Sequence, residues 1–209
     1  GYSYLFWEYV RILQEVQPKY FLLENVKMAE KWRNIITKTL GYNPILINSN
    51  LLSAQNRPRL YWSNITDIKQ PKDKGIYIKD VLQDTYSPKE MLSEKILNRF
   101  QPLKSTYCVG TTKPKFRTIG QRDYVFGDDN KMGCLVATDY KQPKQVLHNG
   151  VLRKISPIEA ERFQTLEDDY TKYGLFENEV KEVSNTKRFE AIGNGWTVDI
   201  IAYILKHIK

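Results

Sequence analysis

Two segments within the first 41 residues carry apolar side chains at three- and four-residue spacing, the period of an amphipathic helix. The first segment is closed by Pro18 and the second by Gly41, two residue types that commonly end helices. The apolar positions are Leu5, Phe6, Tyr9, Val10, Leu13 and Val16 in the first segment, and Ala29, Trp32, Ile35, Ile36 and Leu40 in the second.

Short, nearly continuous apolar runs lie between and after these predicted helices, as is typical of buried strands. The run "YFLLENV" ends in Glu24 and Asn25 and reads as a buried parallel strand, and "NPILINS" and "RLYWSNI" follow it. Alternation of strand and helix predicts an α/β layer, in which ligands bind at the carboxyl ends of strands. Glu24 lies at such an end.

A polar row precedes the third predicted strand, in the stretch "LLSAQNRPRLYW". Gln55, Arg57 and Arg59 occupy alternate positions, so an extended segment would present all three on one face. A solvated edge strand explains such a row, and so does a row aimed at a ligand. The stretch by itself leaves both interpretations open.

The pattern of apolar and polar residues changes after about residue 68. Residues 69–152 form a loop-rich, β-leaning region with a capping box at Ser87 and Glu90. This region is locally basic around Lys113, Lys115, Arg117 and Arg122. Residues 153–209 return to helical patterns in "SPIEAERF", "SNTKRFEAIG" and "TVDIIAYILKHI". We therefore divide the chain into sections 1–68, 69–152 and 153–209.

Composition narrows the class of partner. The 209 residues carry a net charge of +8 with a pI near 9.3, which favours a polyanionic partner. The two histidines are far apart, so no metal-ligand spacing exists, and no apolar run is long enough for a membrane span. The two cysteines, in unlike contexts, suit a reducing compartment.

Four blocks in order carry a family resemblance: "PKYFLLENV", "QNRPRLYW", "RKISPIEAERFQTLEDDY" and "AIGNGWTVDII". They resemble the ENV strand end, the Q-x-R-x-R segment, the R-x-x-(S/T)-x-x-E-x-x-R-x-Q helix and the closing G-N box of the C5-cytosine DNA methyltransferases. The variable stretch falls where that family keeps its target-recognition region. The resemblance implies a partial Rossmann-like methyltransferase sheet with helices, plus a small, loop-rich target-recognition domain.

The resemblance also implies roles for individual residues. In the family a cytosine is flipped out of duplex DNA, attacked at C6 by a cysteine and methylated at C5 from S-adenosylmethionine. Glu24 would share a proton with N3 of the ring, and Arg59 would donate to O2. Arg57 would support this catalytic pair, and Gln55 and Asn25 would position the substrate.

Cofactor and DNA contacts follow from the same resemblance. Leu5 matches an apolar wall of the S-adenosylmethionine site, although core packing explains Leu5 equally well. Asn194 and Trp196, in "GNGWT", lie near the family's cofactor, although the turn also suits a helix end. Lys113, Lys115, Arg117 and Arg122 would contact phosphates. Arg153, Glu159, Arg162 and Gln164 are predicted to form ion pairs and caps.

Two family elements do not occur in the sequence, the F-x-G-x-G cofactor loop and the Pro-Cys nucleophile. Cys108 and Cys134 lie among apolar neighbours without a preceding proline, and we interpret both as structural. The chain alone is therefore expected to be inactive. It would be a fragment, one subunit of a split enzyme whose partner polypeptide brings the nucleophile and most of the cofactor site, or a DNA-binding relative without catalysis. The resemblance implies a cytoplasmic location in a bacterial or phage-like host, and a nuclear one in a eukaryote.

Overall fold

The computed structural model describes residues 4–116 and 118–209, which pack into two compact units. The first unit contains the described residues up to Asn48, together with Pro58–Pro71 and Ala202–Lys209. The second contains Ser49–Arg57 and Lys72–Ile201. Residues 153–201 thus pack in the same unit as residues 72–152.

The helices and strands of the described chain are numbered in chain order. The helices are α1 (Tyr4–Val16), α2 (Glu30–Leu40), α3 (Glu94–Leu97), α4 (Pro157–Phe163), α5 (Asn185–Asn194) and α6 (Val198–Leu205). The strands are β1 (Leu22–Val26), β2 (Ile45–Asn48), β3 (Gln55–Asn56), β4 (Pro58–Ser63), β5 (Gln101–Pro102), β6 (Gly110–Thr111), β7 (Tyr124–Gly127), β8 (Met132–Gly133), β9 (Gln145–His148), β10 (Val151–Lys154), β11 (Tyr173–Phe176) and β12 (Glu179–Glu182).

A three-stranded sheet forms the centre of the first unit, in the order β1-β4-β2. The central strand β4 is antiparallel to both neighbours. Leu23 lies opposite Trp62, and these two side chains pack with Leu60 and Ile36 in one apolar cluster. Because side chains alternate along a strand, Glu24 projects from the other face of the sheet.

One sequence expectation needs correction here. The apolar run "YFLLENV" predicted a parallel strand, but the pairing that the structure gives β1 is antiparallel, with β4. A run of apolar residues indicates that a strand is buried. Burial of a strand depends little on whether its neighbour is parallel or antiparallel.

The second unit is built on a five-stranded sheet in the order β10-β9-β7-β6-β5, with β7 and β9 parallel and the other pairs antiparallel. Its main apolar cluster includes Phe126 from the sheet, Phe163 at the end of α4 and Phe189 from α5. Ser156 and Glu159, from the helical pattern "SPIEAERF", form a capping box at the start of α4. The short strands fit the β-leaning, loop-rich texture of the sequence.

A glycine brings α5 into close contact with the segment that precedes the 3₁₀ helix Ala137–Lys141. A Cβ at Gly193 would lie 2.2 Å from the carbonyl carbon of Val136 and 2.4 Å from the backbone nitrogen of Ala137. No side chain fits at that distance. The first glycine of the G-N-G turn therefore permits backbone-to-backbone packing.

Neither a membrane-spanning helix nor a metal-ligating group is found among the described residues. The longest helix, α1, has 13 residues, and nothing within 4–116 and 118–209 forms a helix long and apolar enough to cross a membrane. The same residues bring together no group of three or more His, Cys, Asp or Glu side chains that could hold a metal ion.

We predict that Gly193→Ala destabilises the second unit by about 2 kcal/mol or more, because either α5 or the Val136 backbone must move to admit the methyl group. Denaturant unfolding followed by circular dichroism measures this. Gly195→Ala is the matched control, since its Cβ would meet no atom closer than 3.3 Å. Equal unfolding midpoints for the two variants would show that the close approach is dispensable.

Candidate active site

Glu24 and Arg59 form an ion pair on one face of the first unit's sheet. Nε of Arg59 lies 2.8 Å from Oε1 of Glu24, and the two side chains are only 13% and 17% exposed. The strand register explains the contact: Glu24 lies opposite Tyr61, and Val26 lies opposite Arg59. The pair is therefore a diagonal cross-strand pair. The structure brings together the carboxyl and guanidinium groups predicted to act on one ring.

This ion pair has the chemical capacity to hold a planar heterocycle. A carboxyl group can accept or share a proton, and a guanidinium offers five N–H donors in a fixed plane. Nη1 of Arg59 also donates to the carbonyl of Pro58 at 3.0 Å, which fixes the plane of the group. Partial exposure leaves both groups reachable by a ligand.

Asn25 lies on the opposite face of β1. Its Oδ1 accepts a hydrogen bond from the backbone N–H of Val26 at 2.8 Å. The side chain also lines an apolar cavity with Leu5. Successive residues of a strand point to opposite faces, so the structure does not bring Asn25 to the carboxyl group of Glu24.

An apolar cavity lies beside Asn25 in the first unit. It has a volume of about 650 Å³ and lies between α1, β1 and α2. Burial raises the pKa of the Tyr9 phenol, which lines this cavity. Leu5 remains 52% exposed in α1. The remaining lining residues are mostly apolar: Phe6, Trp7, Leu23, Met28, Trp32, Ile35 and Ile36.

The strand partners change along the segment that holds Gln55, Arg57 and Arg59. Strand β3 pairs with β8, strand β4 pairs with β1 and β2, and Arg57 lies between β3 and β4. Gln55 and Arg57 belong to the second unit, whereas Arg59 belongs to the first.

Arg57 is 5% exposed and holds the end of α5. Its Nη1 donates to the carbonyl of Leu135 at 2.7 Å, and its Nη2 donates to the carbonyls of Gly195 at 2.8 Å and Gly193 at 3.3 Å. The thiol of Cys134 lies 3.3 Å from Nη1. Carbonyls at a helix end lack partners within the helix, and the guanidinium supplies them.

Gln55 is fully buried and extends the same polar network. Its Oε1 accepts from the backbone N–H of Leu135 at 2.8 Å, and its Nε2 donates to the carbonyl of Phe163 and to Oε1 of Gln164, each at 3.1 Å. Gln164 in turn donates to the carbonyl of Ile192 at 2.8 Å. We call Gln55, Arg57, Gln164 and Thr197 the buried polar node. Burial leaves Gln55 no surface for the predicted substrate contact.

Thr197 and a second ion pair were not singled out from the sequence. Thr197 is buried and donates to Oε1 of Gln164 at 2.8 Å. Arg188 of α5 lies 3.0 Å from Glu161 of α4, with both side chains almost completely buried. The sequence signal was a charged residue close to apolar positions of the same helix, as Glu161 is to Ala160 and Phe163.

The ion pairs predicted in the third motif block are present. Arg153 and Glu159 form a two-fold contact with N–O distances of 2.8 and 2.7 Å in the interior of the second unit. Arg162 pairs with Asp168 at 2.7 Å near the surface. Burial of the first pair and its two parallel hydrogen bonds indicate a role in docking α4 against β10.

The predicted cofactor contacts of the G-N-G turn lie at the end of α5. Asn194 is exposed, and Trp196 is 51% exposed. Both belong to the second unit, whereas Leu5 belongs to the first.

The predicted phosphate contacts lie on or near a loop between β6 and β7. Lys115 is exposed, Lys113 and Arg122 are half-buried, and Arg117 lies outside the described residues. Nη2 of Arg122 donates to the carbonyl of Thr138 at 3.3 Å. A polar pocket of about 410 Å³ adjoins the loop, lined in part by Arg122 and by Asp139, whose pKa burial raises.

Comparison with known proteins agrees with this arrangement. The C-5 cytosine-specific DNA methylase family model matches residues 1–209. The type II methyltransferase M1.ScrFI of Lactococcus lactis subsp. cremoris is 30% identical over 94% of this chain and 53% of its own length. M.FnuDI of Fusobacterium nucleatum is 34% identical over 98% of this chain and 68% of its own length.

A solved structure shows the same fold. The S. pombe Dnmt2 methyltransferase superposes with a TM-score of 0.63 at 16% identity, covering 96% of this chain and 71% of the other. The chain spans about half to two thirds of the length of the curated relatives it matches. Its fold, its motifs and the family match over its whole length show that the chain belongs to the C-5 cytosine-specific DNA methylases.

Proposed function

We propose that this chain is the cytosine-activating and target-binding section of a DNA cytosine-5 methyltransferase. The observation that supports this most is the 2.8 Å contact between Glu24 and Arg59 on one sheet face. Membership of the family adds that cytosine C5 is the site of methyl transfer. A section carrying the nucleophile and most of the cofactor site would complete the enzyme.

The reaction requires electron withdrawal from an extruded cytosine. As a cysteine thiolate of the completing section adds to C6, electron density moves through the ring towards N3 and O2. Glu24 shares a proton with N3, and the guanidinium of Arg59 stabilises the charge on O2. C5 would then take the methyl group that bound S-adenosylmethionine supplies, which leaves the demethylated cofactor. The C5 proton would pass to a base of the completing section or to water, and the C6–S bond would break to release the thiolate and restore the aromatic ring.

The cofactor fits the apolar cavity at Leu5. Its volume of about 650 Å³ and its aromatic lining suit the adenine and ribose portions of S-adenosylmethionine. The bound cofactor would supply the methyl group. In this proposal Leu5 and Trp32 contribute van der Waals contact to the cofactor.

The remaining motif residues act as supports in this proposal. Burial of Gln55 and Arg57 favours a role in holding the chain that leads into β4, and therefore in positioning Arg59. Asn25 fixes the backbone at the end of β1 through its contact with Val26. Lys113, Lys115, Arg117 and Arg122 would neutralise phosphates of the bound duplex.

The first unit offers a surface on which the completing section would dock. Strand β1 is at the edge of the described sheet, and no residue of α1 is buried. Apolar side chains on α1, including Leu5, Trp7 and Ile12, are about half exposed. An edge strand beside an exposed apolar helix face is an incomplete layer, which a further strand and helix would cover.

A second candidate function is DNA binding without catalysis. It is favoured by the basic loop between β6 and β7. In this case the chain would bind duplex DNA with a steep salt dependence but would gain no methyl transfer activity from a complementing section.

We predict that Glu24→Gln and Arg59→Ala each lower kcat for methyl transfer by about 100-fold or more in the completed enzyme, because each removes stabilisation of charge on the ring. Transfer of a radiolabelled methyl group to duplex DNA measures this. Glu8→Gln and Arg11→Ala are matched controls, since those residues form an exposed ion pair on α1. Rates for Glu24→Gln and Arg59→Ala within a few-fold of the parent would refute the assigned roles.

We predict that Arg57→Met destabilises the chain by about 3 kcal/mol or more, because the carbonyls of Leu135, Gly193 and Gly195 lose a buried donor. Arg59→Met should cost clearly less, since its partner Glu24 keeps access to water. Urea unfolding of the purified chain compares the two variants. A larger loss for Arg59→Met would contradict the division into a supporting and a ring-binding arginine.

A further inference from the structure

Phe116 is exposed to an unusual degree. Its side chain is 85% exposed, more than any other large apolar side chain within the described residues. A phenylalanine in water forgoes the burial that favours folding, and the extent of exposure distinguishes Phe116 from the half-exposed apolar side chains elsewhere on the surface.

The loop that carries Phe116 is anchored at both ends. The backbone N–H of Thr112 donates to the carbonyl of Asp123 at 2.9 Å, and Thr111 lies opposite Tyr124 in the β6–β7 pair. Oγ1 of Thr112 also lies 3.0 Å from Oε1 of the buried Gln145. Phe116 is therefore near the tip of a hairpin loop whose base is held by the sheet.

The positive charges close to Phe116 in the sequence indicate which kind of ligand would bind there. Lys113 and Lys115 flank it on the loop, and no acidic residue occurs between Lys113 and Arg122. Exposed apolar residues also lie on the β11–β12 hairpin, such as Leu175 at 70%, but that hairpin carries Glu179 and Glu182. An apolar ring among cations matches a polyanion that also has aromatic faces, and nucleic acid is such a polyanion.

We propose that Phe116 contacts the bases of the bound duplex, inserting between or stacking on them while Lys113 and Lys115 contact the neighbouring phosphates. This inference rests on the proposed function, since it takes DNA as the substrate. It adds an apolar contact to the basic loop, and it assigns the loop a direct role at the base stack.

The test compares binding of a fluorescent duplex oligonucleotide with binding of heparin, a polyanion that has no bases. Phe116→Ala should weaken duplex binding about tenfold or more. Heparin binding and the slope of log Kd against log salt concentration should stay unchanged, because the cations remain. Phe116→Trp should retain duplex binding.

Phe176→Ala is the matched control, because Phe176 is a half-exposed phenylalanine at the end of the β11 strand of the acidic hairpin. It should bind the duplex as the parent does, and the melting temperatures of both alanine variants should match that of the parent.

Two results would overturn the inference alone: duplex binding by Phe116→Ala equal to that of the parent, or an equal loss of heparin and duplex binding. The first result would indicate that Phe116 contacts a partner other than DNA, either an acidic protein or a second copy of the chain. Failure of the parent itself to bind any duplex at low salt would instead refute the DNA-binding part of the proposed function, and the inference with it.

Discussion

The second unit depends on one buried guanidinium. Arg57 reaches the carbonyls of Leu135, Gly193 and Gly195, so a single side chain ties the chain before β4 to the end of α5 and to the segment after β8. Gln55 and Gln164 extend this contact into the buried polar node. Polar groups removed from water must find partners, so each bond of the node constrains where the next element can lie. Three of the four motif blocks contribute to the node, so residues distant in sequence share one hydrogen-bonded network.

The contrast between Arg57 and Arg59 links this node to the proposed chemistry. The two arginines are two positions apart in the sequence. Arg57 donates its hydrogen bonds to backbone carbonyls, whereas Arg59 contacts the carboxylate of Glu24 on a face of the sheet. Pro58 separates them and offers no backbone donor, and its carbonyl accepts from Arg59. Rigid attachment at Arg57 limits the freedom of the chain entering β4. A guanidinium that must meet a small ring in one orientation benefits from such a support.

Several features were predictable because they are local. Helix α2 ends at Gly41, whose φ of 78° is a conformation that glycine adopts readily, and Ser156 with Glu159 gives α4 its capping box. The chemistry of Glu24 and Arg59 was suggested by residue type and motif order. The parallel pairing expected for β1 was not observed, because it depends on which strand becomes the neighbour.

Periodicity along the chain was thus enough to locate the longer helices and the strands of the first unit's sheet, and motif order was enough to identify the family. The burial of individual residues, the pairing of strands and the contacts of side chains are instead determined by packing between segments distant in sequence. Gln55 has the residue type of a substrate contact, yet the position of α4 makes it an interior hydrogen-bonding group. Phe116 has the residue type of a core residue, yet the hairpin loop places it in solvent. Local sequence describes what a side chain can do, and free energy summed over contacts distant in sequence determines which of those possibilities is realised.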